Sequence, residues 1–216
     1  MKNFGLNRNV PVVPAQTALL VIDVQNYNME GGGEYAGMEE SEIERKYGFF
    51  FREMRGRVIP NIQKLQAVCR KNGIEVVYTV IASLTENGRD LSLDYKISGL
   101  FCPKSSRDAW VIEEIAPQGD EIVLTKTSSS VFISTNIHYI LGNLGIKQLI
   151  IAGALTDQCV DSAVRDACDL GYLVTLVTDA CATQSRVRHE NSLANNAGYC
   201  RQITSDALLA EILAAE

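Results

Sequence analysis

Short apolar runs rich in valine and isoleucine alternate along this chain with segments whose apolar residues recur at helical spacing. A strand that is covered by helices on both faces must be apolar throughout, so the alternation predicts β-α units around a parallel sheet. The run at 18–23, which is apolar except for its final aspartate, is the clearest example. The predicted strands are residues 18–23, 74–80, 121–125, 148–152, 172–177 and 199–203.

Helical periodicity marks the segments between these strands. Pro60 suits the first position of a helix, and Gly73 suits the position just after its end. The predicted helices are residues 60–72, 135–144, 156–170 and 205–214. Residues 82–120 have weak periodicity and several glycines and prolines, so we expect loops and short helices there. Because no internal repeat or linker interrupts the pattern, residues 1–216 are predicted to form one domain.

Charge and hydropathy exclude several classes of function. The 216 residues include 20 Lys+Arg and 26 Asp+Glu, giving a net charge of −6. Such a surface repels phosphate backbones, so nucleic acid is not an expected partner. No apolar run approaches the roughly 20 residues that cross a bilayer, and residues 1–17 contain no apolar signal region. We therefore expect a soluble, cytoplasmic protein whose partner is a small-molecule substrate.

The six cysteines are spaced so that no C-x-x-C pair occurs. This spacing offers neither a zinc ribbon nor a dithiol redox motif. In a reducing compartment the cysteines are expected to be free thiols, most of them small buried apolar residues. One or two at most are expected to take part in chemistry.

Three reactive side chains follow predicted strands. Asp23 closes the first strand, Lys126 follows the third, and Cys159 lies just past the fourth, near the start of a helix. Ligands of open parallel sheets bind beyond the carboxyl ends of the strands, where these residues would meet. The helix dipole and a nearby ammonium are expected to lower the pKa of the thiol, and a carboxylate can shuttle its proton. Taken singly, each also has an ordinary structural interpretation: a packed cysteine, a turn aspartate and a solvated lysine.

The same residues lie in segments that resemble a known family. LVIDVQ at 20–25, TKT at 125–127 and GALTDQCV at 153–160 resemble the three signature motifs of the isochorismatase-like cysteine hydrolases. DSAVRDA at 161–167, DACAT at 179–183 and HENSL at 189–193 also resemble that family. The resemblance spans residues 17–203 and implies an α/β fold in three α/β/α layers with a six-stranded, mainly parallel sheet.

The resemblance also implies roles for individual residues. Asp23 would be the general acid/base, Lys126 the stabiliser of the thiolate and transition state, and Cys159 the nucleophile. Family members have a cis peptide bond shortly before the nucleophile, which here falls between Ala154 and Leu155. The backbone amides of Leu155 and Cys159 would then form an oxyanion hole.

Departures from the family pattern narrow the expected activity. Nicotinamidases of this family bind a metal through an aspartate and two histidines after the second strand, whereas residues 80–110 contain no histidine here. His138 and His189 are the only histidines of the chain, and surface or capping roles are expected for both. We therefore predict no metal and no cofactor.

Two further segments, LSLDYKI at 91–97 and KTSSSVF at 126–132, resemble the metal-free ureidoacrylate and N-carbamoyl amidohydrolases. The resemblance implies hydrolysis of a small linear amide, a carbamoyl or ureido compound, through a thioester. Segments 28–46 and 83–106 are expected to line the entrance of the site. The candidate substrate-binding residues are Gln25, Tyr27, Ser129 and Arg186, although loop formation and core packing explain them equally well.

Two other functions remain open at this stage. In the first, Asp23 acts as the acid of an isochorismatase-type vinyl ether hydrolase and Cys159 is not needed. In the second, the chain is a non-catalytic binding member of the same fold.

The resemblance also implies a homo-oligomer, a dimer or tetramer. The aromatic cluster of Tyr47 and residues 49–51 favours such an assembly unless it packs on the sheet of its own chain.

Overall fold

A computed structural model describes residues 4–214, and the outermost residues of the predicted domain, 1–3 and 215–216, lie outside the described part. Six strands form one sheet in the order β3-β2-β1-β4-β5-β6, and every neighbouring pair is parallel. The strands are β1 (Thr17–Ile22), β2 (Glu75–Ile81), β3 (Ile122–Lys126), β4 (Gln148–Ala154), β5 (Leu173–Ala182) and β6 (Arg201–Ile203). The predicted parallel sheet is confirmed.

Helices cover both faces of the sheet. Those of the described residues are α1 (Glu40–Glu53), α2 (Ile59–Lys71), α3 (Leu93–Ser98), α4 (Val131–Ser134), α5 (Ile137–Asn143), α6 (Cys159–Asp169), α7 (Arg186–Asn196) and α8 (Ser205–Leu213). A π-helical turn, Met54–Val58, joins α1 to α2. None of the described helices has the length and apolar character needed to span a membrane.

The central strand β1 shows how the three layers form. All six of its residues are buried, and successive side chains point to opposite faces of the sheet. Leu19 and Val21 join the core beneath α1, α2 and α8, whereas Leu20 and Ile22 join the core beneath α5 and α6. The three-layer α/β/α arrangement is therefore confirmed.

The largest departure from the predicted elements is α1. Periodicity predicts a helix at 60–72, but the chain is already helical from residue 40. Charged residues dominate the first half of α1, while its apolar residues concentrate in the second half, where Phe50 and Phe51 are buried. Because Tyr47 and Phe51 pack against Tyr35, the aromatic cluster lies largely within its own chain and gives no separate reason for an oligomer.

Strand β5 is longer than the predicted 172–177 because a polar residue inside it has partners. Asp179 interrupts the apolar pattern, yet its carboxylate accepts hydrogen bonds from the backbone N–H and the hydroxyl of Ser205 at 2.7 and 2.8 Å. These bonds tie the first residue of α8 to the strand. The strand can therefore continue to Ala182 beside the end of β4.

Candidate active site

The three reactive residues predicted from strand ends meet at one point beyond the sheet. Asp23 directly follows β1, Lys126 is the last residue of β3, and Cys159 is the first residue of α6. The Lys126 Nζ atom lies 2.8 Å from Asp23 Oδ2 and donates a hydrogen bond to Cys159 Sγ at 3.3 Å. A buried ammonium thus bridges a carboxylate and a thiol.

The backbone around Asp23 is held in an unusual conformation. Its φ of 51° lies in the left-handed region, which aspartate tolerates better than most residues. The Asp23 N–H donates to Thr79 O at 3.1 Å, and Asn28 Nδ2 donates to Asp23 O at 2.7 Å. The Thr79 hydroxyl donates to Asp23 Oδ1 at 2.7 Å, so the carboxylate is fixed through one oxygen. Apart from its ion pair with Lys126, Oδ2 has no other hydrogen-bond partner among the described residues.

Lys126 is fully buried, and all of its polar contacts belong to the site. Besides Cys159, its Nζ donates to Tyr95 Oη at 3.0 Å and to Ser128 O at 2.9 Å. Burial acts to lower the pKa of Lys126, but its electrostatic interactions with Asp23, Cys159 and Tyr95 outweigh burial and raise the pKa. The side chain is therefore a permanent cation at the floor of the site.

The Cys159 thiol is only 5% exposed. Burial raises its pKa to about 12, Lys126 acts in the opposite direction, and Asp23 raises the pKa further. The lowered pKa expected from the helix terminus and the ammonium is therefore wrong. Removal from water outweighs the favourable charge. The thiol holds its proton until another group accepts it.

The segment between β4 and α6 approaches β1 closely. Gly153 has a φ of 123°, and a Cβ atom there would lie 2.1 Å from the Ile22 carbonyl oxygen, so only glycine fits. The next peptide bond, between Ala154 and Leu155, is cis. The N–H groups of Leu155 and Cys159 donate no hydrogen bond to another described residue, whereas those of Gln158 and Val160 both donate to Leu155 O. Two backbone donors beside the thiol are therefore available to a ligand.

A cavity of about 450 Å³ opens over Cys159. Its lining includes Asp23, Ala154 and Leu155, together with residues of both segments expected at the entrance. Segment 28–46 contributes Asn28, Glu34 and Tyr35, and segment 83–106 contributes Asp94, Tyr95, Ser98 and Leu100. The volume suits a small molecule.

The candidate substrate-binding residues divide into two groups. Ser129 lines the cavity, whereas Gln25, Tyr27 and Arg186 do not. The amide group of Gln25 bonds to the backbone N–H and carbonyl of Ile81, and the Tyr27 hydroxyl accepts a hydrogen bond from the Phe101 N–H at 3.1 Å.

Arg186, the cationic member of the candidate substrate-binding residues, lies outside the cavity. Arg186 begins α7 beside a separate pocket that also contains His189. The neighbouring Arg188 forms a salt bridge with Asp157. The structure therefore places neither arginine among the residues that line the cavity.

Sequence reasoning gave no individual role to several residues that the structure brings to the site. Tyr95 lies 4.0 Å from the Cys159 sulfur through its hydroxyl, and Asn28 supports Asp23. Glu34, Tyr35 and Tyr47 complete one side of the cavity. The sequence indicated only that segments 28–46 and 83–106 line the entrance of the site. No spacing rule links these individual positions to the ends of the strands.

The comparisons with known proteins agree with the fold and the motifs. An Isochorismatase domain model matches residues 17–207. Ureidoacrylate amidohydrolase RutB of Rhizobium rhizogenes is 30% identical over 188 residues, 79% of this chain and 72% of that protein. A protein of Arabidopsis thaliana described as a probable inactive nicotinamidase is 30% identical over 184 residues, 80% of this chain and 84% of that protein.

A solved structure gives the same result for the fold. The crystal structure of a cysteine hydrolase from Pseudomonas syringae pv. phaseolicola 1448A matches with a TM-score of 0.79 at 22% identity, covering 96% of this chain and 97% of that one. The resemblance seen in the three motifs is therefore confirmed over nearly the whole chain. The chain belongs to the isochorismatase family.

Proposed function

We propose that this protein is a cysteine amidohydrolase that cleaves a C–N bond, other than a peptide bond, in a small carbamoyl or ureido compound. The observation that carries the proposal is the contact of the Lys126 ammonium with both Asp23 and Cys159 at the floor of a cavity. The relative named ureidoacrylate amidohydrolase supports this class of substrate. A nucleophile, a cation and a proton acceptor in contact are what acyl transfer requires.

In the first half of the reaction, Cys159 Sγ attacks the substrate carbonyl carbon. Because burial raises the pKa of the thiol, its proton must leave as the S–C bond forms. Asp23 Oδ2 accepts the proton, since this oxygen has no hydrogen-bond partner beyond its ion pair with Lys126. The carbonyl π electrons move to oxygen, and the N–H groups of Leu155 and Cys159 stabilise the negative charge that develops there.

In the second half, the tetrahedral intermediate collapses and the C–N bond breaks. Asp23 returns the proton to the departing nitrogen, which leaves as ammonia or an amine. The acyl group stays on Cys159 Sγ as a thioester, or as a thiocarbamate where the carbonyl carbon also carries a second nitrogen. Asp23 then takes a proton from water, whose oxygen attacks the thioester carbon. Breaking the C–S bond and reprotonating the sulfur restores the site. Lys126 stays charged throughout and balances the negative charge that moves among the three groups.

The experiment is to incubate the protein with a panel of ureido and carbamoyl compounds and measure ammonia release. Intact-mass spectrometry after acid quench should detect protein that carries the acyl group, and peptide mapping should place it on Cys159. Vinyl ether hydrolysis without ammonia release would favour an isochorismatase activity. Absence of turnover and of any adduct would favour a non-catalytic member.

The activity is expected to survive removal of metal ions. The histidine pair that holds the metal in nicotinamidases has no counterpart at 80–110, and every step above uses groups of the chain or water. Dialysis against a strong chelator should leave kcat/KM unchanged, with less than one equivalent of metal bound. Loss of activity that zinc, iron or manganese restores would contradict this prediction.

The protein is also expected to form a homo-oligomer. This proposal now depends on family membership alone, because the aromatic cluster that offered a physical reason packs against Tyr35. Light scattering at micromolar concentration measures the molar mass directly. A mass near that of one chain, 23.7 kDa, would refute the proposal.

A further inference from the structure

The charges that line the cavity are unbalanced. Five acidic residues line it, whereas none of the described lining residues is lysine, arginine or histidine; the acids are Asp23, Glu34, Asp94, Asp157 and Asp161. Lys126, Arg188 and Arg165 form salt bridges with Asp23, Asp157 and Asp161, respectively. Glu34 and Asp94 form no salt bridge with a described residue. These two carboxyl groups therefore have no cation of the described residues to stabilise their ionised forms.

Asn28 adds an acceptor that lacks a donor. The residue is more than nine-tenths buried and lines the cavity. Its Nδ2 donates to Asp23 O at 2.7 Å, which fixes the orientation of the amide group. Its Oδ1 is left without a hydrogen-bond partner among the described residues. The oxygen is almost completely enclosed by the protein, so its partial negative charge adds to that of the nearby acids without a direct contact to a ligand.

Glu34 is the acid whose environment most requires a counter-charge. Burial raises the pKa of Glu34 to about 7, although a hydrogen bond with Tyr35 acts in the opposite direction. The increase means that the described residues around the carboxylate offer too little compensation for the water it has lost. A cation entering the cavity would supply that compensation and hold Glu34 ionised.

Aromatic rings also form part of the cavity wall. Tyr35, Tyr47 and Phe50 line the same cavity as Glu34. The rings of Tyr35 and Tyr47 have centroids 4.8 Å apart and planes inclined by 54°, so they form an angled wall. Aromatic faces attract ammonium and guanidinium groups, and the attraction is strongest in partly desolvated sites.

We propose that the substrate of this enzyme carries, in addition to its scissile amide, a cationic ammonium or guanidinium head group that contacts Glu34 and the rings of Tyr35 and Tyr47. This inference rests on the proposed function, whose substrate class it makes more specific. A substrate carboxylate would meet acidic residues in the cavity and no lysine, arginine or histidine among the described lining residues. Discrimination against carboxylates follows from this arrangement.

Three ureido compounds of similar size test the proposal. (2-Aminoethyl)urea carries a cation, propylurea is its neutral counterpart, and 3-ureidopropanoate carries a carboxylate. We expect kcat/KM for (2-aminoethyl)urea to exceed that for propylurea by about tenfold or more, as for hydrogen bonds to charged groups. The value for 3-ureidopropanoate should be the lowest. Equal values for the three, or a preference for the carboxylate, would overturn the inference while leaving the amidohydrolase activity in place.

Substitutions test which residues cause the preference for the cationic substrate. Glu34→Gln should reduce the ratio of kcat/KM between (2-aminoethyl)urea and propylurea to about one, because the amide offers no charge. Glu40→Gln, an exposed acid at the start of α1, is the matched control and should preserve the ratio. Tyr47→Leu should lower the ratio by removing one ring, and it serves as a second probe if Glu34→Gln fails to fold. A ratio unchanged in both folded variants would contradict the assignment.

Binding to a Cys159→Ala variant separates the two proposals. Calorimetric titration with the same compounds measures recognition without turnover. Tighter binding of (2-aminoethyl)urea than of propylurea, with no hydrolysis of any compound by the unmodified enzyme, would uphold the cationic head group and count against the amidohydrolase activity. No binding preference together with no selective turnover would overturn the inference.

Discussion

Cys159→Ala should reduce turnover to the background rate, a loss of about 10⁴-fold or more, as expected when a covalent nucleophile is removed. No other described cysteine lines the cavity, so no neighbouring sulfur can replace it. The fold should survive, because alanine fills most of the space of a buried thiol and is a good residue for the first turn of a helix. Steady-state ammonia release measures the activity, and circular dichroism checks the fold.

The matched control is Cys69→Ala. Cys69 is as buried as Cys159, but it lies in α2 and its sulfur faces the core on the other side of the sheet. The control should retain kcat and show only the modest stability loss of a trimmed core side chain. Near-normal turnover by Cys159→Ala would show that the covalent mechanism is wrong and would favour acid catalysis by Asp23 alone.

Lys126→Met should abolish measurable activity and also destabilise the fold, by about 3–5 kcal/mol, because it leaves a buried carboxylate without its cation. Asp23 would retain the Thr79 hydroxyl but lose the ammonium at 2.8 Å. Methionine is similar to lysine in length, so loss of charge rather than loss of volume is tested. Urea denaturation gives the free energy of unfolding.

The double variant Asp23→Asn/Lys126→Met tests whether the uncompensated carboxylate causes the loss of stability. Removing both charges removes the uncompensated group, so most of the stability should return while the activity stays absent. Lys64→Met is the control, since that side chain is 56% exposed and its substitution should change stability by about 0.5 kcal/mol or less. A Lys126→Met protein as stable as the unmodified one would show that the ion pair contributes no net stability.

The reactive centre could be predicted because all strands of a parallel sheet run in the same direction. Once β1, β3 and β4 are recognised, their carboxyl ends must share one edge, and residues that follow them become neighbours. The structure brings Asp23, Lys126 and Cys159 into contact at that edge. Local sequence thus contained the information that places these three side chains.

The rest of the site depends on contacts that local patterns do not encode. Asn28 and Glu34 lie in short 3-10 turns, and Tyr47 lies in α1. The charged residues in the first half of α1 obscure the apolar pattern of its buried face. The role of these three residues depends on tertiary packing against Tyr35 and on which hydrogen bonds remain unfilled. The direction of the Cys159 pKa shift was not predicted for a similar reason. A motif shows that an ammonium is near, but not how completely water is excluded.

The strand order also determines when the active site can form during synthesis. The central strand β1 pairs on one side with β2, which soon follows it, but on the other side with β4, more than a hundred residues later. Long-range parallel pairing is slow because the entropy of closing the loop is lost before the contacts are gained. Until β4 and the start of α6 leave the ribosome, one edge of β1 stays open and Lys126 has no thiol to contact. An amino-terminal fragment that ends before residue 148 should therefore be an aggregation-prone species rather than a partly active enzyme.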